Sequence, residues 1–475
     1  MRQTSTICLI EKIMDFDLKL KDVFGDLVID KQLVRSLGIR NERTIPSFVE
    51  EWLVTRFAKP DTDNDETRRA ILDFIKKHLP AKVDKDLFLN RLHNGEQVTV
   101  LDAFKARVDL AKDCKYVSAP SLQQANISVD QETIDDCPDL LTGGLWGAGR
   151  LHYSRDQKAL KLIEFKPMQS GKVSLKHMAE VRPQFTTAEW IDVIIRTMGL
   201  EPSAYNQHQK QRLVQRLIPL VQTNVNMMEL APKGTGKSFV FSNLSRYVWL
   251  NSGGALSQAQ LFFNMNTREI GLLGGRFDLL VLDEGQSIDF QGADNIHAKF
   301  KDYLESGKYT VGPNQTTSEC GLMILANIAL YGGQPERQDY IRELPEMFHD
   351  SALLDRFHGI LPGWEIPRFQ TESVARGAGL KADVFGEYAH QLRHVSPSEF
   401  PYGNVPRLAG DSRDVKAVEK IAVALSKLLM LNPGDADYET YVMQPACDLR
   451  QRVRSQLAAV DGFEMSAELK VKVLA

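Results

Sequence analysis

No apolar run in this chain approaches the ~20 residues that a membrane-spanning helix requires. Cysteine is scarce: the five residues at 8, 114, 137, 320 and 447 are odd in number, widely spread and without a Cys-x-x-Cys pair. That scarcity argues against a disulfide framework and against a cysteine-built structural zinc site. Net charge is nearly absent too, because 58 basic and 62 acidic residues leave −4. The overall balance therefore points to neither nucleic acid nor a membrane surface, and any nucleic-acid contact must be local. There is no low-complexity tract and no repeat of fixed period. The first 20 residues are interrupted by Glu11, Lys12, Asp15 and Asp17, so they offer no signal-peptide core. These absences predict a soluble protein of a reducing cytoplasm. At 475 residues with 43% hydrophobic content, the chain has material for about three packed domains.

What the chain does have is Ala231-Pro-Lys-Gly-Thr-Gly-Lys-Ser238, set between an apolar strand-like segment (225–230) and a helix expected over 239–250. Gly234 and Gly236 allow positive φ, which lets backbone N–H groups of the run Lys233, Gly234, Thr235, Gly236 turn inward around phosphate oxygens. Lys237 is placed to reach β- and γ-phosphates, and Ser238 to offer its hydroxyl to Mg²⁺. This predicts an ATP site at a helix N-terminus. The first position of the G-x-x-x-x-G-K-[ST] pattern is Ala231 instead of Gly, a departure that a small residue tolerates.

Downstream, Phe277 to Leu282 runs into Asp283-Glu284 and reads as a buried parallel strand with its acids at the carboxyl edge. Asp283 is the expected Mg²⁺ ligand and Glu284 the group that polarises the attacking water. A helix over 296–306, closed by Gly307, leads into a hairpin from Lys308-Tyr309 through the turn Gly312-Pro313-Asn314. A second buried strand, 322–326, ends at Asn327. Arg356 ends a short helix, where it is either a charge-neutralising group for phosphoryl transfer or a partner of Asp355 or Glu346. Arg413 stands at the start of a long amphipathic helix, against its dipole, which calls for a bound phosphate or for the neighbouring Asp414.

The N-terminal part reads differently. Residues 1–115 look mainly helical, with a basic cluster at Arg68, Arg69, Lys76, Lys77, Lys82 and Lys85 that is either a DNA-contacting face or a solvated surface. From Leu140 to Pro167 the period changes to two, with a hairpin about Ser154–Gln157 and glycine pairs around Trp146 read as tight turns in a barrel or small sheet.

The order of these elements over roughly 205–430 resembles an AAA+ ATPase of the branch that includes MCM helicases and Lon-type proteases. The helix beginning Ile296-His297, the hairpin and Asn327 are similar to the MCM arrangement, and Leu353-Leu354-Asp355-Arg356-Phe357 to its arginine-finger segment. Phe24-Gly25-Asp26 and Leu145-Trp146-Gly147 resemble the BrxL family, the Lon-like ATPases of BREX phage-defence systems. The resemblance implies an α/β fold, a P-loop AAA+ core with a C-terminal helical lid and a mixed α+β N-terminal region. The expected division is 1–115, 116–200 (small sheet and linker helix), 201–395 (ATPase core) and 396–475 (lid and tail).

The resemblance further implies catalytic roles for Glu284, Asn327 as sensor and Arg356 as finger, with Arg413 as second sensor. It implies ATP and Mg²⁺ as cofactors, a homo-oligomer (hexamer or stacked hexamers) around double-stranded DNA and other phage-defence proteins as partners, with no membrane; on the hairpin, Lys308 is expected to contact DNA phosphate and Tyr309 either to stack on a base or to brace the hairpin. A Lon-type peptidase of ~150 residues or more does not fit into the about 45 residues after the lid, so no protease activity is expected. The competing reading is a polypeptide unfoldase or assembly chaperone; Tyr247–Leu250 and Phe262–Asn264 lack the aromatic-hydrophobic-Gly loop that it would use.

Overall fold

Period-two alternation between Val98 and Pro167 builds a closed five-stranded barrel. A computed structural model describes residues 15–474 except 43–44, 60, 82, 169–172, 267, 276, 397–398 and 462–465, so Cys8 and Lys82 lie outside the described residues. The described residues form two units, one of Asp26–Gly171 with Lys381–Val384 and one of the rest.

In the first unit, helix Lys31–Leu37 starts where Asp30 Oδ1 accepts the N–H groups of Gln32 and Leu33 at 2.8 and 3.1 Å. Helices Ser47–Phe57 and Asn64–His78 bury Val49, Leu53, Ile71 and Ile75 in one cluster. In the basic cluster Arg69, Lys76 and Lys77 are exposed, whereas Arg68 donates to the Leu37 carbonyl at 3.0 Å and Lys85 to Gln123 at 3.1 Å.

The barrel strands are β1 (Val98–Asp109), β2 (Cys114–Ala119), β3 (Gln124–Ser128), β4 (Leu145–Ser154) and β5 (Ala159–Pro167). They close in the order β1-β2-β3-β5-β4, with β3 and β5 parallel and the remaining neighbours antiparallel. The expected boundary at 115/116 falls inside β2, because the apolar run at Val98–Leu101 is only the start of a 12-residue strand. Gly147 and Gly149 are also not turn residues. They lie within β4 and face inward, where a Cβ at Gly147 would come 2.5 Å from the Phe165 ring and one at Gly149 would strike Phe104.

The second unit carries a parallel sheet of β6 (Asn226–Ala231), β7 (Val248–Ser252), β8 (Leu279–Asp283), β11 (Gly321–Asn327) and β12 (Gly359–Pro362), in the order β12-β6-β11-β8-β7. Between β8 and β11 the chain forms an antiparallel hairpin of β9 (Lys308–Val311) and β10 (Asn314–Thr317). Leu279–Leu282 and Leu322–Ala326 are buried throughout, as expected of strands covered on both faces. The helices that matter to the site are α1 (Lys237–Asn243), α2 (Ala293–Ser306), α3 (Ser412–Leu429) and α4 (Gln444–Val460). The expected helix over 239–250 stops at Asn243, because Val248-Trp249-Leu250 pairs with Leu279-Leu280-Val281 as the edge strand. Helix Thr187–Thr197 opens with a capping box, Thr186 Oγ1 accepting from Glu189 N at 3.2 Å and Glu189 Oε2 from Thr186 N at 2.8 Å. Among the described residues no helix is long and apolar enough to cross a membrane.

Candidate nucleotide site

Because the five strands run parallel, their carboxyl ends gather at one edge of the sheet, and four of the expected site residues meet there. The loop leaves β6 at Ala231 and enters α1 at Lys237, with Gly234 at φ 85° and Gly236 at φ 73°. Lys237 is buried; its Nζ donates to Asn327 Oδ1 and to the Pro232 carbonyl, both at 3.1 Å. Burial pushes its pKa down from the usual lysine range, against the pull of Glu229. Ser238 Oγ donates to Asp283 Oδ2, and Asp283 Oδ1 accepts from Glu284 N at 2.9 Å. Glu284 is exposed and held at φ 53°, a left-handed conformation uncommon for a non-glycine residue.

A cavity of about 620 Å³ opens beside the loop, lined among others by Pro232, Lys233, Gln286, Asn327, Glu343 and Arg368. Its size is within the range of pockets that hold a nucleotide-sized ligand. Thr235 Oγ1 is buried without a hydrogen-bond partner, a polar atom in the loop that a bound group would satisfy. The hydroxyl and carboxylate of Ser238 and Asp283 form an oxygen donor set suited to Mg²⁺, which such sites bind together with substrate phosphates. The loop thus fits a phosphate chain and its magnesium ion.

Two residues that hold the loop escaped the sequence reading. Glu229 and Arg216 are fully buried and paired, with Arg216 Nη2 at 2.7 Å from Glu229 Oε1 and 3.1 Å from the Thr235 carbonyl. A charge inside an apolar strand, Met227-Met228-Glu229-Leu230, was the available signal. Gln286 also went unnoticed; its Oε1 accepts from Asn327 N at 2.9 Å and fixes the end of β11. Arg368 is an exposed cation on the cavity wall that no motif marks.

Arg356 and Arg413 are not part of this group. His358 N–H donates to the Asn226 carbonyl at 2.8 Å, which ties the start of β12 to the start of β6. Arg356 therefore lies at the amino edge of the sheet, about one strand length (roughly 15–20 Å) from the loop. There Arg413 Nη1 is 2.5 Å from Asp355 Oδ2 and its Nη2 3.0 Å from Glu305 Oε2. Arg356 Nε approaches the same Glu305 Oε2 at 3.3 Å without hydrogen-bond alignment, and its Nη1 donates to the Ala352 carbonyl. The charge at the start of α3 is thus explained by Asp355 and Glu305. Asp414 instead binds Arg450 Nε at 2.7 Å. Beneath them the fully buried Arg450 also holds Asp355 Oδ1 at 2.6 Å. Burial works to raise the Asp355 pKa, but Arg413 and Arg450 outweigh it and hold the carboxyl below its usual range.

The hairpin divides its two expected contact residues. Lys308 is exposed, whereas Tyr309 is buried, donates to the Phe262 carbonyl at 3.1 Å and packs against the Phe262 and Tyr303 rings. Strand alternation puts them on opposite faces, so Tyr309 braces the hairpin from inside and offers no ring to a base.

A family model described as "Lon-like protease BrxL-like, ATPase domain" matches residues 160–470, and one described as "BREX system Lon protease-like protein BrxL N-terminal" matches residues 22–153. A protein named Lon-like protease BrxL from Bacillus cereus (strain H3081.97) is 31% identical over 470 residues, covering 95% of this chain and 68% of the relative. Its namesake from Escherichia coli O9:H4 (strain HS) is 30% identical over 467 residues, covering 95% and 66%. The chain spans about two thirds of the length of these curated relatives.

Proposed function

This chain belongs to the BrxL family of Lon-like proteins, and on that premise we propose that it is a Mg²⁺-dependent AAA+ ATPase that assembles into a ring, a hexamer or stacked hexamers, and remodels or translocates double-stranded DNA in BREX-type phage defence. The observation that carries this reading is the split of the chemistry between the two sheet edges. Lys237, Ser238, Asp283 and Asn327 converge on the loop, while Arg356 and Arg413 sit together a strand length away. A ring in which the amino edge of one subunit meets the carboxyl edge of the next completes the site; such head-to-tail interfaces close into rings.

In that site Lys237 and the loop amides hold the β- and γ-phosphates, and Ser238 and Asp283 hold Mg²⁺, which neutralises charge on the phosphates. Glu284 orients the attacking water with Asn327 beside it, and the neighbour's Arg356 meets the charge that develops on the γ-phosphate, a contribution of about 10³–10⁵ in kcat in comparable enzymes. The preorganised Glu229–Arg216 pair keeps the Thr235 carbonyl in place, so little rearrangement is needed when phosphate arrives.

On the DNA side, Lys308 is the exposed cation of the hairpin, and α2 runs directly into it. The last turn of α2 carries Glu305, which holds both arginines, so force on the hairpin reaches the neighbour's site through one carboxylate. Phe262 is fully buried, Tyr247 is half-buried against His390, and the exposed Trp249 sits in the edge strand β7, not in a loop; these placements favour nucleic acid over a polypeptide substrate gripped by a pore aromatic. The test is ATP hydrolysis with and without duplex DNA. Duplex should stimulate turnover, and Lys308→Ala should lose the stimulation and the salt-sensitive DNA binding while still binding nucleotide. Unchanged DNA binding in Lys308→Ala removes the hairpin from the account.

A further inference from the structure

At the amino edge of the sheet, Asp278 stands just before β8 and faces two histidines near the C-terminal end of helix Ala382–His394. His390 and His394 are four residues apart, so both rings leave the same face of the helix. Asp278 Oδ2 is 2.8 Å from His390 Nδ1, and one nitrogen or oxygen from each of the three residues lies within 4.8 Å of the others. Glu319 Oε2 is 3.4 Å from His394 Nδ1. The Tyr247 ring stacks on His390 with centroids 3.9 Å apart and planes 7° apart, which fixes the imidazole orientation. Arg393 Nε stands 3.5 Å from the other Asp278 oxygen, Oδ1, while its terminal nitrogens donate to the carbonyls of Pro219, Gln222 and Glu319. That arrangement leaves Asp278 Oδ2 turned toward the histidines.

We propose that Asp278, His390 and His394 form a site for a divalent transition-metal ion such as Zn²⁺, its fourth position filled by water or by the exposed Glu319 swinging in from beside His394. Two imidazoles and carboxylate oxygens are a donor set that suits zinc, whereas Mg²⁺ prefers oxygen alone. Bonds of about 2.0–2.2 Å in a tetrahedron require ligand atoms about 3.3 Å apart. The His390–Asp278 edge opens slightly to reach that spacing, and the wider edges close through side-chain rotation of the half-exposed His394. The ion would staple the end of the helix to the strands that begin at β8 and β11, far from the nucleotide loop.

The test is titration of the full chain with Co²⁺ in the absence of nucleotide, read by visible absorption, with Zn²⁺ as competitor. One equivalent with tetrahedral absorption is expected, displaced by Zn²⁺, together with a rise in thermal midpoint on adding Zn²⁺. His394→Ala should lose affinity by about 10- to 100-fold or more, as loss of a ligand or its orienting partner does elsewhere, while circular dichroism stays unchanged. His394→Gln, which keeps a polar side chain at the surface, should show the same loss and serves if the alanine variant does not fold. No saturable absorption in the unaltered chain, or a loss smaller than about tenfold in the folded variant, overturns the proposal.

Discussion

At the carboxyl edge of the sheet Lys237 is buried with a neutral amide, Asn327, and a backbone carbonyl as its direct partners, and Thr235 Oγ1 has none. At the amino edge Arg356 and Arg413 share Glu305, and Asp355 is gripped by Arg413 and Arg450. The loop lysine has no carboxylate among its hydrogen-bond partners, whereas the arginines of the amino edge are held on carboxylates. Each edge also rests on one fully buried arginine, Arg216 below the loop and Arg450 below the pair. The contrast teaches why the proposed site is shared: in the ring we propose, the first edge binds and the second supplies charge that its own subunit cannot deliver across the sheet.

The comparison breaks most sharply at Arg356. Arg356→Ala should lower kcat by about 10³ or more while leaving ATP affinity nearly unchanged, as measured by turnover and by equilibrium binding of a fluorescent nucleotide. A large loss of affinity in the isolated subunit would place the residue at the wrong edge.

Stability sharpens the same contrast. Arg216→Met leaves Glu229 buried and without its ion-pair partner and should cost about 3–5 kcal/mol in urea unfolding; Arg450→Met should cost less, because Asp355 keeps Arg413 and Asp414 keeps Arg454. Arg216→Met should also weaken nucleotide binding, because the Thr235 carbonyl loses its donor; Arg450→Met should not.

The smallest expected effect is in pH. Asp355 has a folded-state pKa below its ordinary 3.8, so it binds fewer protons folded than unfolded near that pH. Its contribution is present above about pH 4 and is lost as pH falls through the depressed value. For Lys237 the folded pKa lies below 10.5; the unfolded chain holds the proton longer, and stability from this group rises as pH climbs toward that value. Asp355→Asn should flatten the acid limb of a stability profile, and Lys237→Met the alkaline one.

The loop, Asp283 and Asn327 were legible because each is a contiguous pattern: apolar strand, then a polar residue at a parallel-strand end. Barrel strands β4 and β5 were legible from alternation and their turn. What stayed hidden depends on residues far apart in sequence. Glu229 finds Arg216 across 13 positions, and Glu305 finds Arg413 across 108, which no local pattern records. The role of Gly147 and Gly149 was invisible because their reason, Phe165 and Phe104, lies on other strands. For Tyr309 the sequence leaves stacking and bracing open, and its alternation with Lys308 decides for bracing; local helix periodicity over 239–250 hides the edge strand, whose partner β8 begins only at Leu279.

The shared site is tested most directly by mixing two inactive variants, Lys237→Ala and Arg356→Ala, in equal amounts and measuring ATP hydrolysis. If each site takes its loop from one subunit and its arginine from the next, half of the subunits offer an intact loop and half of their neighbours an intact arginine, so about a quarter of wild-type activity should return. If the mixture stays as inactive as its components while assembling normally, Arg356 acts within its own subunit or not at all, and the account is contradicted.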